Sequence, residues 1–423
     1  MHITLVAVGS RGDVQPFIAL GVALRDAGYT VRLATHLVFE AEIRAEKLEF
    51  SNLEGDPQKL LQDEEFRTWM ESARNPIKFA TGFKNFMGPA ISRSMRDTLT
   101  ASQDTDAIIV TGPAFYFGLT IAEKLKIPLI QAYLQPIHPT GEFPSAMFPL
   151  GLPNLSVFNY PVHVVGGQLF WQLMRPSVNQ ARRELFGMPP LTLFGPLPVV
   201  MRQKLPVLYG YSPEVLPKPR NWPEFLHVTG YWFLDQPAWT PPADLVAFLE
   251  SGPPPVYIGF GSMADRDPQR MAEISLAALK KAGQRGLLLT GWGGLAQSDL
   301  PDEVFKVDSA PHDWLLPRMA AVVHHAGAGT TAAGLRAGKS TITIPFFGDQ
   351  IFWARRVARI GAGPEPLIRK TLTADRLAEA IQQTLANEGI CRQAAAIGQK
   401  IRAERGSQNA VKIISDYLHA NER

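Results

Sequence analysis

The chain opens with a compact apolar run from Ile3 to Val8. A polar, glycine-bearing stretch from Gly9 to Asp13 follows, then apolar positions at Phe17, Leu20, Val22 and Leu24. An unbroken apolar run marks a strand buried on both faces, and wider apolar spacing marks a helix with one buried side. The pattern predicts a strand at 3–8, a loop at 9–13, a helix at 14–27 stopped by Gly28, and a strand at 30–34. Further strands are predicted at 107–110, 129–133, 206–211, 256–260, 286–290, 304–307, 319–323 and 340–344. Polar segments with apolar faces predict helices within 57–100, at 120–124, 271–282, 373–387 and 390–405, and at 409–418 with Ser407 as its cap. Strands alternating with helices predict an α/β chain of doubly wound parallel sheets.

Two segments break the alternation. Residues 135–176 are apolar and proline-rich, with poor periodicity before Val164. They read either as the mobile wall of a pocket or as a long loop packed on its sheet. Residues 213–223 and 235–242 are proline-rich linkers, which puts a domain boundary at 234–242.

Composition narrows the class. The 423 residues, 46% hydrophobic and 19% charged, suit two or three globular domains. A net charge of +3 without a block of like charges gives no footprint for nucleic acid. It leaves a plainly solvated surface, or peripheral attachment to an anionic membrane surface. The one cysteine, Cys391, forms no intrachain disulfide and no zinc cluster. No leader-like segment precedes the first strand, and no run of about 18 apolar residues occurs. A cytoplasmic protein is expected.

The chemistry concentrates at His324-His325-Ala326-Gly327-Ala328-Gly329-Thr330-Thr331. A glycine-rich turn between a strand and a helix brings backbone N–H groups and the positive helix end to an anion. Thr330, Thr331 and His325 supply further donors or caps. After the next strand, Asp349-Gln350 places a carboxylate and an amide where open α/β sheets bind ligands. That pair suits sugar hydroxyls, and Asp349 alternatively caps the helix that follows. Asp104-Thr105-Asp106 has the D-x-D form of a metal site but lies at a strand entry, outside the required context.

His324 to Thr331, with Ile344-Pro345-Phe346-Phe347-Gly348-Asp349-Gln350 and the distant Gly9-Ser10-Arg11-Gly12-Asp13-Val14-Gln15-Pro16, resembles the GT-B glycosyltransferases of the UDP-glycosyltransferase superfamily. The resemblance is greatest to the sterol glucosyltransferases and the macrolide and antibiotic glycosyltransferases, and it spans nearly the whole chain. It implies two Rossmann-like domains facing a central cleft. These are an acceptor-binding domain at 1–234, a linker at 235–242, a donor-binding domain at 243–405, and a C-terminal helix at 406–423 crossing back to the first domain. It implies an inverting transfer of a sugar, glucose first, from a UDP-sugar to the hydroxyl of a lipophilic acceptor such as a sterol. The nucleotide sugar is a co-substrate, with no cofactor and no metal.

In that reading Asp13 is the general base, or alternatively the cap of the helix after it. Gly12, Ser262, Ser309, His312, His325, Gly327, Gly329, Thr330, Asp349 and Gln350 hold the donor. Phe143, Met147, Phe148, Phe170 and Trp171 line the acceptor pocket. Plant members carry Trp-x-Pro-Gln where this chain has Ser309 and His312, which puts base stacking in question. Trp292 either replaces that face or packs in the core. Three alternatives stand beside this reading: an antibiotic glycosyltransferase using a deoxysugar, an inactive nucleotide- or lipid-binding homologue, and a nucleotide-sugar epimerase.

Overall fold

In the computed structural model the described residues are 1–56, 65, 76–147, 153–236, 239–260, 268–289, 300–346 and 348–421. The chain divides into two compact units. One comprises Met1–Tyr211, Lys218–Leu234 and Arg405–Arg423; the other comprises Ser212–Pro217 and Asp235–Glu404.

The first unit is built on seven parallel strands: β1 (His2–Val6), β2 (Thr30–Thr35), β3 (Glu49–Asn52), β4 (Ala107–Thr111), β5 (Leu129–Tyr133), β6 (Val207–Tyr209) and β7 (Leu226–Val228). Their order is β3-β2-β1-β4-β5-β6-β7. β1 carries the register on both sides, with Ile3 opposite Val31 and opposite Ala107. The order reverses direction between β1 and β4, so the loops leaving these two strands diverge there. Open parallel sheets bind ligands at the C-terminal side of such a switch.

Helices cover the sheet: α1 (Arg11–Asp26), α2 (Pro76–Ala101), α3 (Phe115–Leu125), α4 (Ser156–Phe186) and the short α5 (Leu197–Gln203). α4 departs most from the sequence reading, which saw weak periodicity before Val164. It runs for 31 residues with Pro161 and Pro176 inside it. Each proline removes one backbone bond. The helix persists because Trp171, Met174, Val178, Ala181 and Phe186 are buried in the core, in contact with α2 and α3. β7 is also new: residues 218–234, read partly as linker, return to the first sheet and pair with β6.

The second unit has five parallel strands: β8 (Val256–Gly259), β9 (Gly286–Leu289), β10 (Val304–Val307), β11 (Val322–His324) and β12 (Thr341–Thr343), in the order β10-β9-β8-β11-β12. Its switch lies between β8 and β11, where Gly259 stands opposite His324. The helices used below are α6 (Pro268–Ala282), α7 (Ala328–Arg336), α8 (Gln350–Arg359), α9 (Ala374–Ala386) and α10 (Glu388–Ala403). The last helix, α11 (Gly406–Asn421), belongs to the first unit and packs on α1. Tyr29 Oη donates to Ser415 Oγ at 2.8 Å, and Asn409 Nδ2 to the Thr229 carbonyl at 3.0 Å. α11 starts before Ser407, which is buried inside its first turn and does not cap it.

Candidate functional site

Each unit presents a strand–turn–helix device at its switch point, and the two are built differently. In the first, β1 ends and α1 begins at Arg11, three residues before the sequence pattern placed it. The reason is local. Ser10 is the N-cap and Asp13 the third helical residue, and the Asp13 carboxylate turns back onto Ser10. Oδ2 accepts from the Ser10 backbone N–H at 2.9 Å and from the Ser10 hydroxyl at 3.0 Å. This reciprocal arrangement satisfies helix-end donors and places a negative charge on the positive helix terminus. Asp13 therefore caps α1 from inside its first turn, and does not sit before a helix at Val14.

Gly9 makes the close approach possible. Its φ is +141°, and a Cβ there would lie 2.5 Å from Asp13 Oδ2. Any side chain would both strain the backbone and displace the carboxylate. The Gly9 N–H points to His36 Nε2 at 3.4 Å, while His36 Nδ1 meets the Leu53 carbonyl at 3.3 Å. This pattern assigns the proton to Nδ1. Burial holds the His36 pKa below its ordinary value, partly offset by the carbonyls it faces, which keeps Nε2 an acceptor. Ser10 and His36 were not singled out from sequence. The Ser-x-x-Asp spacing of 10 and 13 was the available signal for Ser10; His36 carried none, because only the β1–β2 pairing brings it to Gly9.

In the second unit, β11 ends at His324 and α7 begins at Ala328. The N-cap position is Gly327, and no side chain caps this helix. Its first N–H groups carry the positive helix end, and the glycine at the N-cap offers them no side chain. The turn is tightened by an unusual residue: Ala326 has φ +63°, a left-handed conformation that costs a non-glycine residue about 1–2 kcal/mol. Its N–H donates to His324 Nδ1 at 3.0 Å. The proton of the neutral His324 ring therefore sits on Nε2, which is buried and has no hydrogen-bond partner among the described residues.

His325 folds over the start of α7. A Cβ on Gly327 would lie 2.4 Å from His325 Nε2, so glycine is required for the ring to lie there. Burial, with the neighbouring His312 as the second cause, lowers the His325 pKa to about 4. The ring is neutral at pH 7 and offers one N–H donor. Its Nδ1 is buried without a hydrogen-bond partner among the described residues, as is Thr331 Oγ1. Thr330 and Gly327 are half-buried and Gly329 is exposed on the first turn of the helix.

Of the other predicted donor residues, Gly12 is the exposed second residue of α1 in the first unit, and the rest lie in the second unit or outside the described residues. His312 opens the helical turn His312–Leu315, and its Nε2 lies 3.4 Å from the Tyr257 hydroxyl. Its ring stands edge-on to Tyr257 at 6.0 Å. Its influence on both His324 and His325 gathers the three imidazoles into one neighbourhood. Among the described residues no group of histidine, cysteine or carboxylate side chains could hold a metal ion. Ser309 is exposed just before this turn. Ser262 and Trp292 lie outside the described residues.

Asp349 occupies the N-cap position of α8 but makes no capping bond. Its Oδ2 instead accepts from Trp353 Nε1 at 3.2 Å. Gln350 is buried, and its Oε1 accepts from the Phe346 N–H at 2.8 Å. The two side chains thus stiffen the turn after β12 and hold their polar ends at the C-terminal edge of that strand.

The five predicted acceptor residues divide. Phe143 is buried beside His163 and Trp222, with ring centroids at 5.9 and 6.2 Å. Trp171 is buried, stacked on Tyr116 at 5.2 Å, and donates from Nε1 to the Thr192 carbonyl. Phe170 is partly buried against the same core and Met147 is exposed. Phe148 lies outside the described residues. The D-x-D carboxylates are committed elsewhere. Asp104 is ion-paired with Arg32, whose hydrogen bond holds the Asp104 pKa down at about 2, and Asp106 accepts from the His2 N–H at 2.7 Å.

Comparison with known proteins gives a consistent picture. Residues 3–144 match the glycosyltransferase family 28 N-terminal domain. Residues 293–418 match the erythromycin biosynthesis protein CIII-like C-terminal domain. Over 428 residues the chain is 38% identical to a sterol 3-beta-glucosyltransferase of Arabidopsis thaliana, covering 99% of this chain and 66% of that protein. A sterol 3-beta-glucosyltransferase of Yarrowia lipolytica is 36% identical over 428 residues, covering 98% of this chain and 28% of the relative. The chain therefore spans less than a third of the fungal relative and about two thirds of the plant one. Among solved structures, the kitacinnamycin glycotransferase superposes with a TM-score of 0.71 at 18% identity over 99% of both chains. The glycosyltransferase VinC, solved with dTDP, superposes with a TM-score of 0.65 at 20% identity, over 99% of this chain and 100% of that one. At these identities the structures speak for the fold.

Proposed function

This chain belongs to the GT-B glycosyltransferases, and from that premise we propose that it moves glucose from UDP-glucose to the hydroxyl of a sterol-like lipophilic alcohol, inverting the anomeric centre. The observation that carries this reading is the start of α7. It is a helix N-terminus without a side-chain cap, flanked by a buried, neutral His325 whose Nδ1 has no hydrogen-bond partner among the described residues. Such an end is suited to a diphosphate, which takes backbone N–H groups, the helix dipole and one imidazole N–H together. Thr330 adds a hydroxyl donor, and Gly327 and Gly329 keep the backbone accessible. Asp349 and Gln350 address the sugar hydroxyls, with Gly12, Ser262, Ser309 and His312 as the remaining donor contacts.

The chemistry balances with protein groups alone. Asp13 accepts the proton of the acceptor hydroxyl as that oxygen attacks the anomeric carbon. The bond from that carbon to the diphosphate oxygen breaks, and its electron pair leaves on the diphosphate. The α7 terminus and His325 stabilise the charge that develops there. Met147, Phe148 and Phe170 form the apolar side of the acceptor site, with Phe143 and Trp171 as its backing.

Identities of 36% and 38% to sterol 3-beta-glucosyltransferases, over 98% and 99% of this chain, favour a sterol-like acceptor over the deoxysugar alternative. The test is incubation with UDP-glucose, dTDP-deoxysugars and a sterol panel, with product read by mass and anomeric configuration by NMR. β-glucoside formed from UDP-glucose supports the reading. Transfer from deoxysugar donors alone, or retention of configuration, overturns it.

A further inference from the structure

We propose that the outer face of α4, continued onto residues 193–201, docks this protein on the surface of an anionic lipid bilayer. Val157, Tyr160, Val164, Val165 and Leu169 are exposed large apolar residues on α4. Val157, Tyr160 and Val164, and likewise Val165 and Leu169, are spaced by three and four, so the two rows run side by side along the helix. Val157 is 68% exposed and Leu169 is 59% exposed. The 192–195 turn lies beside them. Gln168 and Gln172 both donate from Nε2 to the Leu193 carbonyl at 2.8 Å, so the two amides on this side are bonded within the patch. These bonds hold Leu193 and Phe194 beside Gln168 and Gln172 of α4, and Phe194 is 70% exposed. Leu197 and Met201 on α5, the helix after this turn, are exposed as well. Exposed apolar residues gathered in this way mark an interaction site.

Charge selects the occupant. From Phe143 to Arg183 the sequence has no aspartate or glutamate, and from Leu185 to Pro213 again none. Arg183 is exposed on α4, beside the one acidic residue of this stretch, Glu184, which is exposed as well. Arg202 and Lys204 stand exposed at the end of α5. An apolar surface bordered by exposed Arg183, Arg202 and Lys204, with Glu184 as the one acidic residue between Phe143 and Pro213, fits anionic lipid headgroups above acyl chains. A second copy would bring like charges together across a twofold interface. No described helix is long and apolar enough to cross a membrane, so attachment is from one side. This goes beyond the catalytic reading and does not depend on it, because vesicle binding and glucosyl transfer are measured separately.

The experiment is flotation of the full chain with phosphatidylcholine vesicles, with and without phosphatidylglycerol. Wild type floats with the anionic vesicles. A variant carrying Val165→Glu and Phe194→Glu loses vesicle affinity by more than about ten-fold, because two apolar side chains no longer enter the interface. A variant carrying Arg202→Glu and Lys204→Glu loses about five-fold per residue on anionic vesicles and little on neutral ones. Circular dichroism confirms that both variants are folded, and turnover of a detergent-dispersed acceptor remains at the wild-type level. The proposal is overturned if wild type ignores anionic vesicles or if the apolar variant floats as well as wild type. It is also overturned if ultracentrifugation shows a wild-type dimer that the apolar variant dissolves.

Discussion

The two strand–turn–helix devices solve the same electrostatic problem in opposite ways. α1 meets its positive end with its own carboxylate: Asp13 closes onto Ser10 across Gly9. α7 begins at a glycine with no side-chain cap and a neutral imidazole alongside. One end supplies an anion and the other is arranged to receive one. A helix dipole holds a carboxylate in place in the first unit and, in the proposed reading, serves a diphosphate in the second. Similar backbone geometry thus carries two roles, decided by which residue stands three positions after the N-cap: Asp13 in α1, Thr330 in α7.

The largest expected effect breaks the first device. Asp13→Asn retains much of the capping geometry but cannot take a proton, so turnover falls by about 10²–10⁴-fold. Ser10→Ala removes only the cap, with a stability loss of about 1 kcal/mol. Steady-state kinetics and thermal melts on the pair separate the roles. If Asp13→Asn matches Ser10→Ala in turnover, the carboxylate is a cap and nothing more.

The second effect is on acid stability. His138 and His325 are buried and both have pKa values lowered to about 4, chiefly by desolvation. Their folded-state values lie below the unfolded value of about 6.5, so each favours folding while neutral. Their contribution is fully present above about pH 6.5 and is lost as pH falls towards 4. Each contributes up to about 3 kcal/mol. Melts between pH 7.5 and 4.5 are expected to show this decline, and His138→Gln to flatten part of it. An unchanged slope in that variant contradicts the buried neutral state.

The smallest effect is at Ala326. Ala326→Gly relieves the left-handed strain and gains about 0.5 kcal/mol after the added chain entropy is counted. Ala326→Val is expected to destabilise by more. Denaturant titration of the two variants reads both signs.

Most strands were legible because parallel strands buried on two faces leave largely apolar runs, as in Ile3 to Val6 and Leu129 to Tyr133, whereas the polar β3 and the short β7 were missed. The strand–turn–helix at β11 and α7 was legible because its glycines, threonines and histidines are contiguous. α4 was not, because Pro161 and Pro176 interrupt its pattern and its outer side is apolar instead of polar. The start of α1 was misplaced because the Ser10–Asp13 bonds, not hydrophobicity, decide it. His36 was invisible because its role depends on a neighbour 27 positions away. The strain at Ala326 was invisible because alanine gives no sign of φ.

Titration calorimetry with UDP on wild type, His325→Ala and Asp13→Asn tests the division of labour between the two helix ends most directly. Loss of a hydrogen bond to a charged group costs about 1.5–3 kcal/mol, which is about 10- to 150-fold in affinity. The account predicts that loss for His325→Ala and unchanged UDP affinity for Asp13→Asn. Equal affinity in wild type and folded His325→Ala, or a comparable loss in Asp13→Asn, would contradict it.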